Sequence, residues 1–126
     1  MNKTIMIVED EKDFHEIYAL MLEGRDYKLI YAYDGEEAKP MLEDKKPDLI
    51  IMDTIMGMVT GDTFLLHLKG HDDLADIPVI IISSSNPQKQ LIGLKKIDPN
   101  LLYLNKADLT KERLLEVVEK KISGIK

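Results

Sequence analysis

Three acids, a hydroxyl and a lysine occupy comparable places along this chain. Glu9 and Asp10 follow the apolar run Ile5-Met6-Ile7-Val8, and Asp53 follows Leu49-Ile50-Ile51-Met52. Ser83 follows Val79-Ile80-Ile81-Ile82, and Lys106 comes one residue past Leu101-Leu102-Tyr103-Leu104. Singly, each has an ordinary explanation. Asp and Ser after a strand often cap the next helix, and a lone lysine is most often solvated. Together they describe a chemistry. Three carboxylates brought close repel, and their pKa values rise unless a cation joins them. Oxygen donors without His or Cys suit a hard divalent ion, above all Mg2+ beside a phosphate oxygen. A lysine opposite the acids could neutralise remaining charge and hold a phosphoryl oxygen, and a hydroxyl could bind another. A carboxylate in such a site can itself accept the phosphoryl group covalently.

The elements that must position these groups can be read from the apolar pattern. Five short runs, the four above and Leu29-Ile30-Tyr31-Ala32, are mostly rich in Ile or Val and mostly lack strict alternation, as in strands buried on both faces of a parallel sheet. Between them lie helical stretches. Phe14, Ile17, Tyr18, Met21 and Leu22 form one stripe, with Gly24 at its stop. A second helix, about Glu36 to Glu43, holds Pro40 and is expected to be kinked. A third carries Phe64, Leu65 and Leu68 and ends at Gly70. A fourth starts near Pro87, with Leu91, Ile92 and Leu94 as buried candidates. The last opens at Thr110 as N-cap without a capping box and buries Leu114, Leu115, Val117, Val118 and Ile122. Strand–helix units repeated with right-handed crossovers give a doubly wound, three-layer α/β sandwich, (βα)5. In such a sheet functional groups gather beyond the carboxyl ends of the strands, where Glu9, Asp10, Asp53, Ser83 and Lys106 all fall. Tyr33 follows the remaining run, and Asp34-Gly35 reads as a turn.

Composition narrows the classes. The 126 residues suit a single domain, 1–126, with a real core. The absence of cysteine excludes a disulfide scaffold, a Cys-ligated zinc site and a thiol nucleophile. With 17 Lys+Arg against 23 Asp+Glu the net charge is −6, so direct nucleic-acid binding is not expected. No apolar run approaches the roughly 18–20 residues of a membrane span. The start reads into a strand and not a signal peptide, so a cytoplasmic location is expected.

Order and spacing of these motifs resemble the receiver domain of two-component response regulators, of the chemotaxis-regulator-like kind. The residues carrying the resemblance are Val8-Glu9-Asp10-Glu11, Pro47 through Asp53, Met56 with Gly61, Pro78 through Ser83, and Tyr103-Leu104-Asn105-Lys106. The resemblance implies a flavodoxin-like parallel five-stranded sheet of order 2-1-3-4-5. It implies Asp53 as phosphoacceptor, with Mg2+ held by Glu9, Asp10, Asp53 and the backbone carbonyl of Ile55. Lys106 would pair with the phosphoryl group, and Ser83 and Tyr103 would be the switch residues that reshape the face of the fourth helix, fifth strand and fifth helix. The implied partners are a sensor histidine kinase or histidine phosphotransfer protein and a downstream effector. Such a protein is no enzyme beyond catalysing its own phosphorylation and dephosphorylation.

Several positions depart from the family pattern. Gly57 stands for a proline and Thr60 for an acid, although Thr60 can still cap the third helix. Ala107 follows Lys106 where a proline with a cis peptide is usual, so the backbone is either trans with the lysine re-aimed or cis under strain. Ile55 and Ser85 border the path of an attacking water, and an apolar Ile55 predicts slow self-dephosphorylation. Other classes remain as alternatives: a receiver-like interaction module without phosphorylation, a haloacid-dehalogenase-like phosphatase, and a flavodoxin-like cofactor binder. The phosphatase wants an acid where Ile55 stands, and Glu9-Asp10-Glu11 would repel a cofactor phosphate. His67 and His71 have the i, i+4 spacing of a metal pair, but Gly70 is expected to break the helix between them, and His15 is expected to be exposed.

Overall fold

The structure is a computed structural model that describes residues 3–53, 55–56, 59–84 and 88–124, with backbone alone for 55–56, 59–60 and 88–90. Five parallel strands, β1 (Lys3–Val8), β2 (Tyr27–Ala32), β3 (Leu49–Met52), β4 (Val79–Ser83) and β5 (Leu102–Asn105), lie in the order β2-β1-β3-β4-β5. The helices are α1 (Lys12–Met21), α2 (Gly35–Lys45), α3 (Gly61–Lys69), α4 (Gln88–Ile97) and α5 (Lys111–Ser123). This is the expected α/β sandwich and strand order. A two-residue antiparallel pairing, Ile55–Met56 with Val59–Thr60, and a 3-10 turn at Lys106–Asp108 were not anticipated.

The near-continuous apolar runs are explained by two cores. Side chains alternate across each strand. Met6, Val8, Ile50, Met52 and Ile81 therefore enter one core, with Ala38 and Leu42 of α2, Phe64, Leu65 and Leu68 of α3 and Leu94 of α4. Ile5, Ile7, Leu49, Ile51, Ile80 and Ile82 enter the other, with Tyr18 of α1 and Leu114, Leu115, Val117 and Val118 of α5. Full burial of an aliphatic side chain stabilises by about 1.5–3 kcal/mol, so an apolar residue is favoured at both parities. β3 and β4 are buried at every position, and β1 over its last four.

Local chemistry sets the helix ends. Thr110 caps α5 as expected, its Oγ1 accepting from Arg113 N at 3.1 Å. Asp34-Gly35 proves to be a helix start and not a free turn, because Asp34 Oδ1 accepts from Glu37 N at 2.8 Å. α2 runs through Pro40 to Lys45 without interruption, longer than expected. Pro40 and Glu36 are both exposed, so the Glu36 carbonyl that the proline fails to bond can be hydrated. Ala38 and Leu42, fully buried, anchor the helix on either side of the proline. Ile92 is a correction: it is 63% exposed, because α4 turns Leu91, Leu94 and Ile97 to the sheet. The start of α4 at Pro87 and the capping role of Thr60 lie outside the described residues and side chains.

Candidate functional site

Strand register assembles the site. Val8 of β1 pairs with Met52 of β3, so Glu9 and Asp53 leave the sheet side by side. Met52 in turn pairs with Ile81 of β4, and Ser83 pairs with Asn105 of β5, which delivers Ser83 and Lys106 to the same edge. Backbone bonds fix the exits: Glu9 N donates to Ala32 O at 3.0 Å and Asp53 N to Val8 O at 3.3 Å. Carboxylate oxygens of Glu9, Asp10 and Asp53 lie within 4.8 Å of one another, the one such group of potential metal ligands among the described residues. Glu9, Asp53 and Ser83 are buried, whereas Asp10 is exposed.

Lys106 closes the cluster. Its Nζ lies 2.6 Å from Glu9 Oε1 and donates to Asp53 Oδ2 at 3.0 Å. The same ammonium sits 3.9 Å from the centroid of the Phe14 ring, whose negative face is a third favourable contact. Every described peptide bond is trans, so of the two expected outcomes at Lys106-Ala107 the trans form is found. The lysine nevertheless reaches the acids. Asn105 Oδ1 accepts from Ala107 N at 2.8 Å and starts the 3-10 turn that aims it.

The electrostatics are unbalanced. Burial pushes the Glu9 carboxyl up from 4.5 to about 7, against the lowering effect of Lys106, and its contact with Asp10 adds to the rise. Burial would lower the Lys106 pKa, but Glu9 and Asp53 together raise it above its ordinary value. Three clustered carboxylates thus have one buried ammonium beside them, paired with Glu9 and Asp53. The donor set is oxygen only, close and partly open to solvent through Asp10, which fits a hard divalent cation and not a soft one. Placed here, a cation would replace the proton that Glu9 otherwise tends to keep.

Of the residues expected from sequence, Glu9, Asp10, Asp53 and Lys106 meet directly. Ser83 ends β4 at the same edge, and Tyr103 lies half-buried on β5 beside Ile81, packed against the first core. Burial raises the Tyr103 pKa. Ile55 follows two residues after Asp53 in the short antiparallel pairing, while its side chain and Ser85 lie outside what is described.

His15 overturns the expectation of exposure. It is 6% exposed, its Nε2 sits 2.7 Å from the Glu9 carbonyl oxygen, and its ring lies against Tyr31 at 5.0 Å and Tyr33 at 4.7 Å. The carbonyl only accepts, so Nε2 carries the proton and His15 braces the turn bearing Glu9 and Asp10. The signal in the sequence was faint: one turn into α1, a polar residue on the same side as Phe14 and Tyr18, facing aromatic residues of β2.

Comparison with known proteins agrees with this fold. The model of the response regulator receiver domain matches residues 5–119. The response regulator GtcR of Aneurinibacillus migulanus is 37% identical over 95 residues, 75% of this chain and 38% of its own length. The polar-differentiation response regulator DivK of Brucella anthropi is 34% identical over 84 residues, 67% of this chain and 68% of its own. Among solved structures, the signal receiver domain of a signal transduction histidine kinase from Syntrophus aciditrophicus superposes with a TM-score of 0.85 at 29% identity, covering 98% of this chain and 92% of that one. The chain spans about two fifths of the length of the first curated relatives it matches, 38% and 40%. On the family-model match and these relatives, this chain belongs to the response regulator receiver domain family of two-component signalling.

Proposed function

We propose that the chain is a phosphoacceptor: Asp53 takes a phosphoryl group from a phosphohistidine on a sensor histidine kinase or histidine phosphotransfer protein. The observation that carries this reading is Lys106 Nζ bridging Glu9 Oε1 at 2.6 Å and Asp53 Oδ2 at 3.0 Å inside a cluster of three carboxylates. In the transfer, an Asp53 carboxylate oxygen attacks phosphorus, the P–N bond to the donor imidazole breaks, and the imidazole leaves with the electron pair. Glu9, Asp10, Asp53 and the Ile55 carbonyl would hold Mg2+, which neutralises charge developing on the phosphoryl oxygens. Lys106, already pointed at Asp53, would release part of its contact with the carboxylate and pair with a phosphoryl oxygen.

Ser83 at the end of β4 would hydrogen-bond another phosphoryl oxygen. Tyr103, on the neighbouring strand and half-buried, would turn inward as Ser83 moves, reshaping the α4-β5-α5 face for a downstream effector. No wider enzymatic activity is assigned, the charge of −6 makes nucleic acid an unfavourable direct partner, and a cytoplasmic location fits the two-component role. Among the described residues no helix is long and apolar enough to cross a membrane.

Incubation with acetyl phosphate and Mg2+, followed by intact-mass measurement, tests the reading. A gain of one phosphoryl group, abolished by chelator and by Asp53→Asn, is expected. An unchanged mass with the cation bound would favour an interaction module that works without phosphorylation.

A further inference from the structure

Outside the acidic edge, two imidazoles lie in contact on one helix end. We propose that His67 and His71, at the C-terminal end of α3, form a two-imidazole site for a divalent transition-metal ion. Their ring centroids are 4.5 Å apart with planes inclined at 46°. α3 ends at Lys69, yet Gly70 N still donates to Leu66 O at 3.0 Å, so the last turn carries on far enough to bring His71 over His67. The break expected at Gly70 therefore does not separate the rings.

The tautomers follow from the contacts. His71 Nδ1 sits 2.7 Å from the His67 carbonyl oxygen. That oxygen only accepts, so Nδ1 holds the proton and Nε2 presents a lone pair, with a carbonyl behind the ring as in many metal-binding histidines. His67 Nε2 is, among the described residues, the buried side-chain nitrogen or oxygen that has no hydrogen-bond partner. Leaving a buried polar atom unmatched is costly in either tautomer, and a metal ion would satisfy it. Burial lowers the His67 pKa, as do His71 and Lys39, while Glu43 acts the other way. The ring is thus neutral near pH 7 and needs to lose no proton to bind.

Burial and Lys39 oppose positive charge at His67, and two features act the other way. Unpaired carbonyls at a helix C-terminus carry partial negative charge. Glu43 of α2 is near enough for its charge to act on His67, and the two nitrogens would be the protein's ligands, with water completing the shell. Imidazole donors select Zn2+, Ni2+ or Cu2+ over Mg2+, the reverse of the oxygen-only cluster. The two sites are also apart. α3 starts near the Asp53 edge and runs away from it for nine residues, about 13 Å. The chain has no cysteine and only three histidines, and the third, His15, is buried against Glu9, so no other ready imidazole competes.

The test is calorimetric titration of the untagged full chain with ZnCl2 and with NiCl2, in excess Mg2+ to fill the acidic cluster. One-to-one binding is expected. His67→Gln and His71→Gln should each weaken it by at least about tenfold, the lower end of what loss of even a ligand's supporting partner costs, and Asp53→Asn should leave it unchanged. Absence of saturable binding, binding indifferent to both histidine variants, or binding lost in Asp53→Asn would overturn the proposal. Should the variants fail to fold, imidazole NMR signals of the wild-type chain decide it. Zn2+ should move those of His67 and His71 and leave His15 in place; movement of His15 alone, or of none, contradicts the site.

Discussion

The two edges of the sheet both bury carboxylates, and they treat them in opposite ways. At the amino-terminal edge Asp98 and Asp48 are matched. Asp98, 3% exposed, accepts from Asn100 N at 3.1 Å and pairs with Lys69 at 3.6 Å, and that lysine also donates to Ala75 O at 2.7 Å. Asp48 accepts from Thr4 N at 2.8 Å. At the carboxyl-terminal edge Glu9, Asp10 and Asp53 crowd together, Lys106 pairs with Glu9 and Asp53 alone, and Glu9 is pushed towards keeping its proton. Acids at the first edge tie segments together. Those at the second are left short of positive charge, which costs stability and creates affinity for a cation and a phosphoryl group.

That contrast can be broken most severely at Lys106. Lys106→Met leaves Glu9 and Asp53 buried without their ammonium, and removing one partner of a buried pair costs about 3–5 kcal/mol. Urea denaturation in chelator at pH 8 should show the largest loss of any substitution considered, and a smaller one at pH 5, where Glu9 takes up a proton.

Asp98→Ala comes next. It deprives Asn100 N and Lys69 of a buried acceptor, and an unsatisfied group of this kind costs about 1–3 kcal/mol. Glu9→Gln has the opposite sign. It imitates protonated Glu9, so the metal-free variant should be more stable than wild type at pH 8 while binding Mg2+ less well. Asp98→Ala and Glu9→Gln destabilising their edges alike would remove the contrast.

The pH dependence follows from the same residue. Glu9 titrates at about 7 in the fold against 4.5 in its ordinary state, so the folded protein holds the extra proton between these values. Stability from this source is fully present below about pH 4.5 and is lost as pH rises through about 7, by linkage. Melting curves in chelator across that range should fall with pH for wild type and flatten for Glu9→Gln. Mg2+ should reverse the trend, since it binds the ionised form.

The smallest expected effect lies on the open helix face. Arg113 and Glu116 form an exposed i, i+3 pair at 2.5 Å, and Glu116→Gln should change stability by no more than about 0.5 kcal/mol.

The strands and the main site residues were legible because both depend on short-range pattern. Apolar runs marked the strands, and a parallel sheet sends whatever follows each strand to one edge. What escaped depends on contacts made across the fold. His15 takes its place from a backbone carbonyl of the preceding turn and from Tyr31 and Tyr33 around β2. Asp98 was passed over as part of a loop, since its partner Lys69 lies on α3. Ile92, an apolar neighbour of Leu91 in the helical stretch, reads as a core candidate, although Leu91, Leu94 and Ile97 already supply the stripe that α4 turns inward.

The most direct test is to locate the phosphoryl group. After reaction with acetyl phosphate and Mg2+, borohydride reduction should convert the aspartyl phosphate to homoserine at position 53 alone, as read by peptide mass mapping. Homoserine at Asp10 or elsewhere, or no conversion at a Mg2+ concentration that saturates the acidic cluster, would contradict Asp53 as the acceptor.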